Sequence, residues 1–162
     1  MSEFLATPEG FARLSFPETF SLQQHRCLWA RSLDTTSTLP EMSSDHLRAT
    51  ISTWLLPLLP DDATLSTITP AFLTAALASV LTWRVLRDLD AEAPESFTLP
   101  TGKARRITYH PVDGPILEAT IQELFTLEDT PRIGSRRHPL TLHLLSPARR
   151  PMQVTKDLRS FW

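Results

Sequence analysis

Apolar positions recur at helical spacing through the first 94 residues and at strand spacing after them. Leu47, Ile51, Trp54, Leu55 and Leu58 advance mostly by three and four, which gathers them on one helical face, and Ser44 stands ahead of Asp45 as the expected N-cap. Pro57 should end or kink that helix, because proline lacks the N–H that the helical ladder needs. Thr69-Pro70 is a second start signal, a hydroxyl cap followed by proline at the first helical position. The run behind it carries Leu73, Leu77, Val80, Leu81 and Trp83 and is expected to stay helical until Pro94. Residues 23–33 form a weaker helical stretch, and the proline- and phenylalanine-bearing residues 1–25 make a poorly defined N-terminal segment.

Beyond Pro94 the apolar residues alternate. Phe97 and Leu99, Ile107 and Tyr109, Leu117 to Ile121, Leu140 to Leu144, and Met152 and Val154 mark five short strands. Pro100-Thr101-Gly102, Val112 to Pro115, Asp129 through Ser135, and Ser146 through Pro151 supply the turns. Alternation fails after Ile121, so Gln-Glu-Leu-Phe can hold one helical turn between the third and fourth strands. The expected fold class is α+β, an N-terminal helical half followed by a small five-stranded OB-like antiparallel barrel. It divides into residues 1–25, a helical-bundle portion at 26–94 and a barrel domain at 95–162.

Composition narrows the setting. Of 162 residues 41% are hydrophobic and 21% charged, with no uncharged apolar run long enough to span a bilayer, so no membrane partner is expected. The N-terminus carries Glu3 and Glu9 where a signal peptide needs basic residues, and the lone Cys27 cannot form a disulfide framework. A cytoplasmic monomer is the expectation. Four glycines against 14 prolines leave no glycine-rich phosphate cradle.

The charge is split along the chain. Residues 1–100 hold six Lys and Arg against twelve acids, whereas residues 101–162 hold ten against six. Any polyanion should therefore meet the second half, since phosphate affinity follows clustered cations more than overall charge. Solvated surface is the plainer account of the same split.

No catalytic constellation accompanies this charge. Thr101-Gly102-Lys103 lacks the other glycine, the strand-to-helix setting and the hydroxyl of a phosphate-binding loop, and reads as a turn. His25, His46, His110, His138 and His143 are scattered and read as ordinary surface histidines, and no nucleophile elbow surrounds Ser146. No metal or cofactor is expected in this chain. What stands out is a set of arginine pairs at turns and strand ends: Arg105-Arg106, Arg136-Arg137 and Arg149-Arg150, preceded by Lys103 and helped by Arg132, Lys156 and Arg159. Guanidinium forks suit phosphate oxygens. Neighbours on a strand point to opposite faces, so at most one of each strand-borne pair joins a given patch.

Leu99-Pro100-Thr101-Gly102, Ile107-Thr108-Tyr109, Gln122 to Phe125, and above all Leu144-Leu145-Ser146-Pro147-Ala148-Arg149-Arg150-Pro151 with its Gln153-Val154-Thr155-Lys156-Asp157-Leu158 continuation resemble a known family. The chain is similar, over roughly residues 26–162, to the C-terminal region of HrpB-type bacterial ATP-dependent helicases of the DEAH group. The resemblance implies an accessory, non-catalytic piece of a longer protein. ATP and magnesium would belong to RecA-like domains upstream, and the strand half would help hold RNA or single-stranded nucleic acid through Lys103, Arg105, Arg106, Arg136, Arg137, Arg149 and Arg150. The alternative is a structural docking module with no nucleic-acid binding, in which Trp54, Trp83, Phe161 and Trp162 cover a partner surface.

Overall fold

Hydroxyl caps set the starts of three helices. The computed structural model describes residues 1–162, and its first unit, Met1–Asp88, holds helices α1 (Ser2–Leu5), α2 (Pro8–Ala12), α3 (Glu18–Leu33), α4 (Ser44–Ala49), α5 (Ile51–Trp54), α6 (Pro70–Leu77) and the start of α7 (Trp83–Glu92). Thr7, Ser43 and Thr69 each accept the amide three residues on, at 3.0, 3.2 and 3.1 Å. The α4 cap is thus Ser43, one residue before the expected Ser44. At Thr50 the hydroxyl turns back to the His46 carbonyl at 2.8 Å and the helix is interrupted; around Pro57 the chain tightens into a 3-10 turn at Leu56–Leu58.

The long helix expected from Thr69 to Pro94 is two helices. After Leu77 the Ser79 hydroxyl donates to the Ala76 carbonyl at 3.0 Å, and Thr82 Oγ1 accepts the Val85 amide at 3.4 Å to restart the chain as α7. Local hydroxyl–backbone bonds of this kind compete with the helical ladder without disturbing the apolar spacing that suggests one helix. Trp83, whose spacing groups it with buried neighbours, is consequently 67% exposed. The core of this unit is aromatic on one side: Phe16 stacks on Phe20 at 4.4 Å and lies 6.5 Å from Trp54. Trp54 is only 2% exposed and donates its indole N–H to the Leu47 carbonyl at 2.8 Å, which removes it from any partner surface. Cys27 is buried as well, and burial pushes its thiol up to about 11 against the opposing charges of Arg26 and Arg31.

The second unit, Leu89–Trp162, contains β1 (Ser96–Thr98), β2 (Ala104–His110), β3 (Gly114–Thr120), a 3-10 turn at Ile121–Leu124, β4 (Arg132–Ile133), β5 (His138–Pro139), β6 (Thr141–Leu145), β7 (Pro151–Thr155) and α8 (Leu158–Phe161). The five alternating segments form one sheet in the order β1-β2-β3-β6-β7, with Ile107 opposite Leu117 and Leu117 opposite Leu142. Ile107, Tyr109, Leu117, Ala119, Leu142 and Leu144 share its buried face.

The sheet is mixed and open, which corrects the expectation of an antiparallel OB-like barrel. β3 and β6 run parallel. Alternation reports which face a residue takes and says nothing of strand direction. Residues 121–140 are long enough to carry the chain back to the far end of β3, as a parallel pair requires, and they hold the 3-10 turn and the small β4–β5 hairpin. Two-residue strands are too short to show a period, which is why that hairpin reads as turn from sequence.

Candidate nucleic-acid interface

Three turns carry five of the seven predicted cations. Between β1 and β2 the Leu99 amide donates to the Lys103 carbonyl and the Gly102 amide to the Leu99 carbonyl, both at 2.8 Å, leaving Lys103 exposed. Between β6 and β7 the Arg149 amide donates to the Ser146 carbonyl at 2.8 Å, the Ser146 amide to the Arg150 carbonyl at 2.9 Å, and the Arg150 amide to Ser146 Oγ at 3.1 Å. Arg149 and Arg150 are both exposed there. Between β4 and β5 the Arg137 amide donates to the Gly134 carbonyl at 3.2 Å, with Arg136 and Arg137 exposed. Arg137 and Arg149 have positive φ, 53° and 59°, a region uncommon for residues other than glycine.

On β2 the adjacent arginines diverge as the pleat demands. Arg106 points out, while Arg105 shares the face of Ile107 and Tyr109 and is half-buried. Its guanidinium is hydrogen-bonded to Glu123 Oε1. Glu123 is 12% exposed and also accepts the Thr120 amide at 2.9 Å and the Thr120 hydroxyl at 3.1 Å. Burial by itself would raise its pKa, but the hydrogen bonds from Arg105 and Thr120 and the Arg105 charge hold the carboxyl at about 2. Arg105 therefore braces β2 against the 3-10 turn, with its charge already matched.

Sheet topology sorts the remaining cations into two groups. The start of β2 lies beside the end of β3, because those strands are antiparallel, and the end of β3 lies beside the end of β6, because those are parallel. The β1–β2 and β6–β7 turns accordingly share one end of the sheet, bringing Lys103 and Arg106 to the same end as Arg149 and Arg150, roughly 14 Å apart at three strand spacings. Arg136 and Arg137 precede β6 and belong to the opposite end, about 15–20 Å away along the strands. The seven predicted residues are not one patch.

At that opposite end Arg132 donates to the Arg137 carbonyl at 3.0 Å, and the buried Thr130 hydroxyl donates to the Lys156 carbonyl at 2.9 Å while accepting the Leu158 amide at 2.9 Å. His138 stands among these groups. Burial, then the charges of Lys156 and Arg132, hold its imidazole below the usual histidine range. The sequence gives His138 no mark that separates it from an ordinary surface histidine, except its position directly behind Arg136-Arg137. Arg159, counted among the helping cations, is paired with Asp129 at 2.8 Å.

A profile of the ATP-dependent helicase C-terminal family, HrpB_C, matches residues 54–162. The chain belongs to this family. The ATP-dependent RNA helicase HrpB of Escherichia coli K12 is 39% identical over 123 residues, which is 76% of this chain and 15% of that protein. The crystal structure of E. coli DExH-box NTPase HrpB superposes on the whole chain with a TM-score of 0.87 at 33% identity, using 20% of that chain. A second crystal structure, titled as the E. coli DEAH/RHA helicase HrpB, gives 0.82 at 31% identity, again over the whole chain and 20% of the other. The chain thus spans a fifth or less of the relatives it matches. The HrpB_C match bears out the resemblance carried by the Leu-Leu-Ser-Pro-Ala-Arg-Arg-Pro stretch, whose two arginines occupy the β6–β7 turn. No helix of the chain is long and apolar enough to cross a membrane.

Proposed function

We propose that this chain serves as the C-terminal accessory portion of an HrpB-like ATP-dependent RNA helicase. Lys103, Arg106, Arg149 and Arg150 contact the phosphates of RNA or single-stranded nucleic acid at one end of the sheet, and Arg136 and Arg137 form a separate contact at the other. ATP hydrolysis belongs to RecA-like domains outside this chain, which it braces, and the protein works in the cytoplasm as a monomer.

The observation that carries this reading is the gathering of four exposed cations, none of them in an ion pair, at one end of the sheet. Arg149 and Arg150, exposed on the β6–β7 turn, keep their phosphate-matching forks out of any ion pair. Arg149 keeps a long charged side chain where its backbone would suit glycine better, which also favours a use for that side chain.

Fluorescence anisotropy of a labelled oligouridine across a salt series tests it. Wild-type binding should weaken as salt rises, and R106A/R149A/R150A should bind more weakly with a shallower log–log slope, by about 0.7 for each single-strand phosphate no longer neutralised. No binding at low salt would remove the nucleic-acid role and leave the bracing one. That second reading has its own support in the open edge strand β7, where Met152 and Val154 are exposed.

A further inference from the structure

The most exposed tryptophan of the chain is also its most cation-rich. Trp83 opens α7, and the guanidinium carbons of Arg84 and Arg87 lie 5.5 and 5.3 Å from its ring centroid, inside cation–π range. Arg87 sits one turn along on the same helical face, and Arg84 reaches the ring from the adjacent position. All three residues lie at the surface, Trp83 at 67% exposure. The acid beside them is Asp88, whose Oδ1 is 3.3 Å from Arg87 Nη2, an exposed pair that contributes little and exchanges readily. Glu92, at the other end of the helix, is already hydrogen-bonded by the Ser135 hydroxyl at 2.9 Å.

We propose that Trp83, Arg84 and Arg87 form a base-stacking platform for single-stranded nucleic acid, in which a base lies on the indole and the two guanidiniums hold the flanking phosphates. The chemistry of the patch selects this occupant. An indole presents a π-face to any base whatever its sequence, and arginine serves both the stack and the phosphate. At these distances the guanidiniums still have N–H donors to offer an anion, since a ring contact uses none of them as a conventional hydrogen bond. A neutral apolar protein surface would bury two cations beside one acid, leaving a charge desolvated and unmatched, which is unfavourable. A nucleotide brings aromatic and anionic groups together at adjacent positions, as the patch does. The inference rests on the reading that the chain meets single-stranded nucleic acid, but it uses none of the cations assigned there.

Titrating the full chain with a labelled oligouridine, read by anisotropy and by tryptophan emission, separates the two. Trp29 and Trp54 are buried while Trp83 and Trp162 are exposed, so the titration is read in a W162F background, where emission quenched by the oligonucleotide should come chiefly from Trp83 and disappear when W83A is added. W83A should weaken binding by at least about fivefold, the low end of what one stacked base contributes, at unchanged salt slope. W83F should recover most of that loss. R84A/R87A should lower the slope by about 0.7 per phosphate released. If W83A binds and is quenched as wild type, with an unchanged thermal midpoint, the platform is overturned and the patch belongs to a protein partner. If R106A/R149A/R150A alone weakens binding, the strand-end reading stands and this one fails; if W83A and R84A/R87A alone do so, the reverse holds. Absence of binding by the wild-type chain overturns both.

Discussion

Arg105 and Glu123 form an ion pair that ties the start of β2 to the 3-10 turn following β3. The same carboxylate completes a capping box with Thr120, so one side chain accepts from an arginine, an amide and a hydroxyl. Replacing it as E123Q should lower unfolding free energy by about 1–3 kcal/mol, the range for losing a hydrogen bond to a charged group, measured by urea denaturation. Glu123 is held at about 2 when folded against an ordinary 4.5. Its stabilising contribution is therefore complete above pH 4.5 and disappears as pH falls toward 2. Stability of E123Q should be flatter than wild type across that window, and an unchanged profile would show that the pair does not persist in solution.

Thr130 performs a comparable task at the opposite end, donating to the Lys156 carbonyl and accepting the Leu158 amide. The isosteric T130V keeps the shape and leaves the buried Leu158 amide without an acceptor. A loss of about 1–3 kcal/mol is expected, with T130S retaining most of the wild-type stability. Equal urea midpoints for T130V and wild type would count against this clasp.

These two clasps mark where sequence legibility ends. Thr69-Pro70 is readable as a helix start because a hydroxyl cap before proline is a local signal, and the alternation of Ile107 with Tyr109 or Leu142 with Leu144 fixes the buried face. The parallel pairing of β3 with β6 is not readable, since alternation is the same in either direction. That pairing decides which cations share an end of the sheet. The division of Lys103, Arg106, Arg149 and Arg150 from Arg136 and Arg137 thus depends on long-range topology that no local spacing encodes. Arg105 is visible as a candidate, but its partner lies 18 residues away on a turn, and only the fold brings the two together.

Two glycines at positive φ should respond differently to alanine. Gly102 has φ +85° with nothing within 4 Å of an added Cβ, so G102A bears only the backbone strain, about 1 kcal/mol. Gly134 has φ +73°, and its Cβ would stand 2.8 Å from the Glu92 carbonyl oxygen, where the Glu92 side chain is also committed to Ser135. G134A should therefore cost more than G102A, about 2–4 kcal/mol, and loosen the β4–β5 hairpin. Equal losses in thermal unfolding would mean that the helix end yields to the new methyl group.

His138 gives the strand unit a pH dependence of its own near neutrality. Burial, and then the charges of Lys156 and Arg132, disfavour protonation of the folded imidazole, whereas the unfolded chain takes up its proton near the ordinary 6.5. Above that value both states are neutral and His138 has no effect on stability. Below it the unfolded state binds more protons, so stability should fall as pH drops through 6.5, until the folded imidazole also becomes charged. H138Q should remove this component while leaving the acid-range loss assigned to Glu123 in place. K156A relieves one of the two opposing charges and should move the His138 titration, followed by NMR, back toward 6.5. A His138 resonance that titrates at 6.5 in the wild-type chain would show that the cations at this end of the sheet stand too far from it to act.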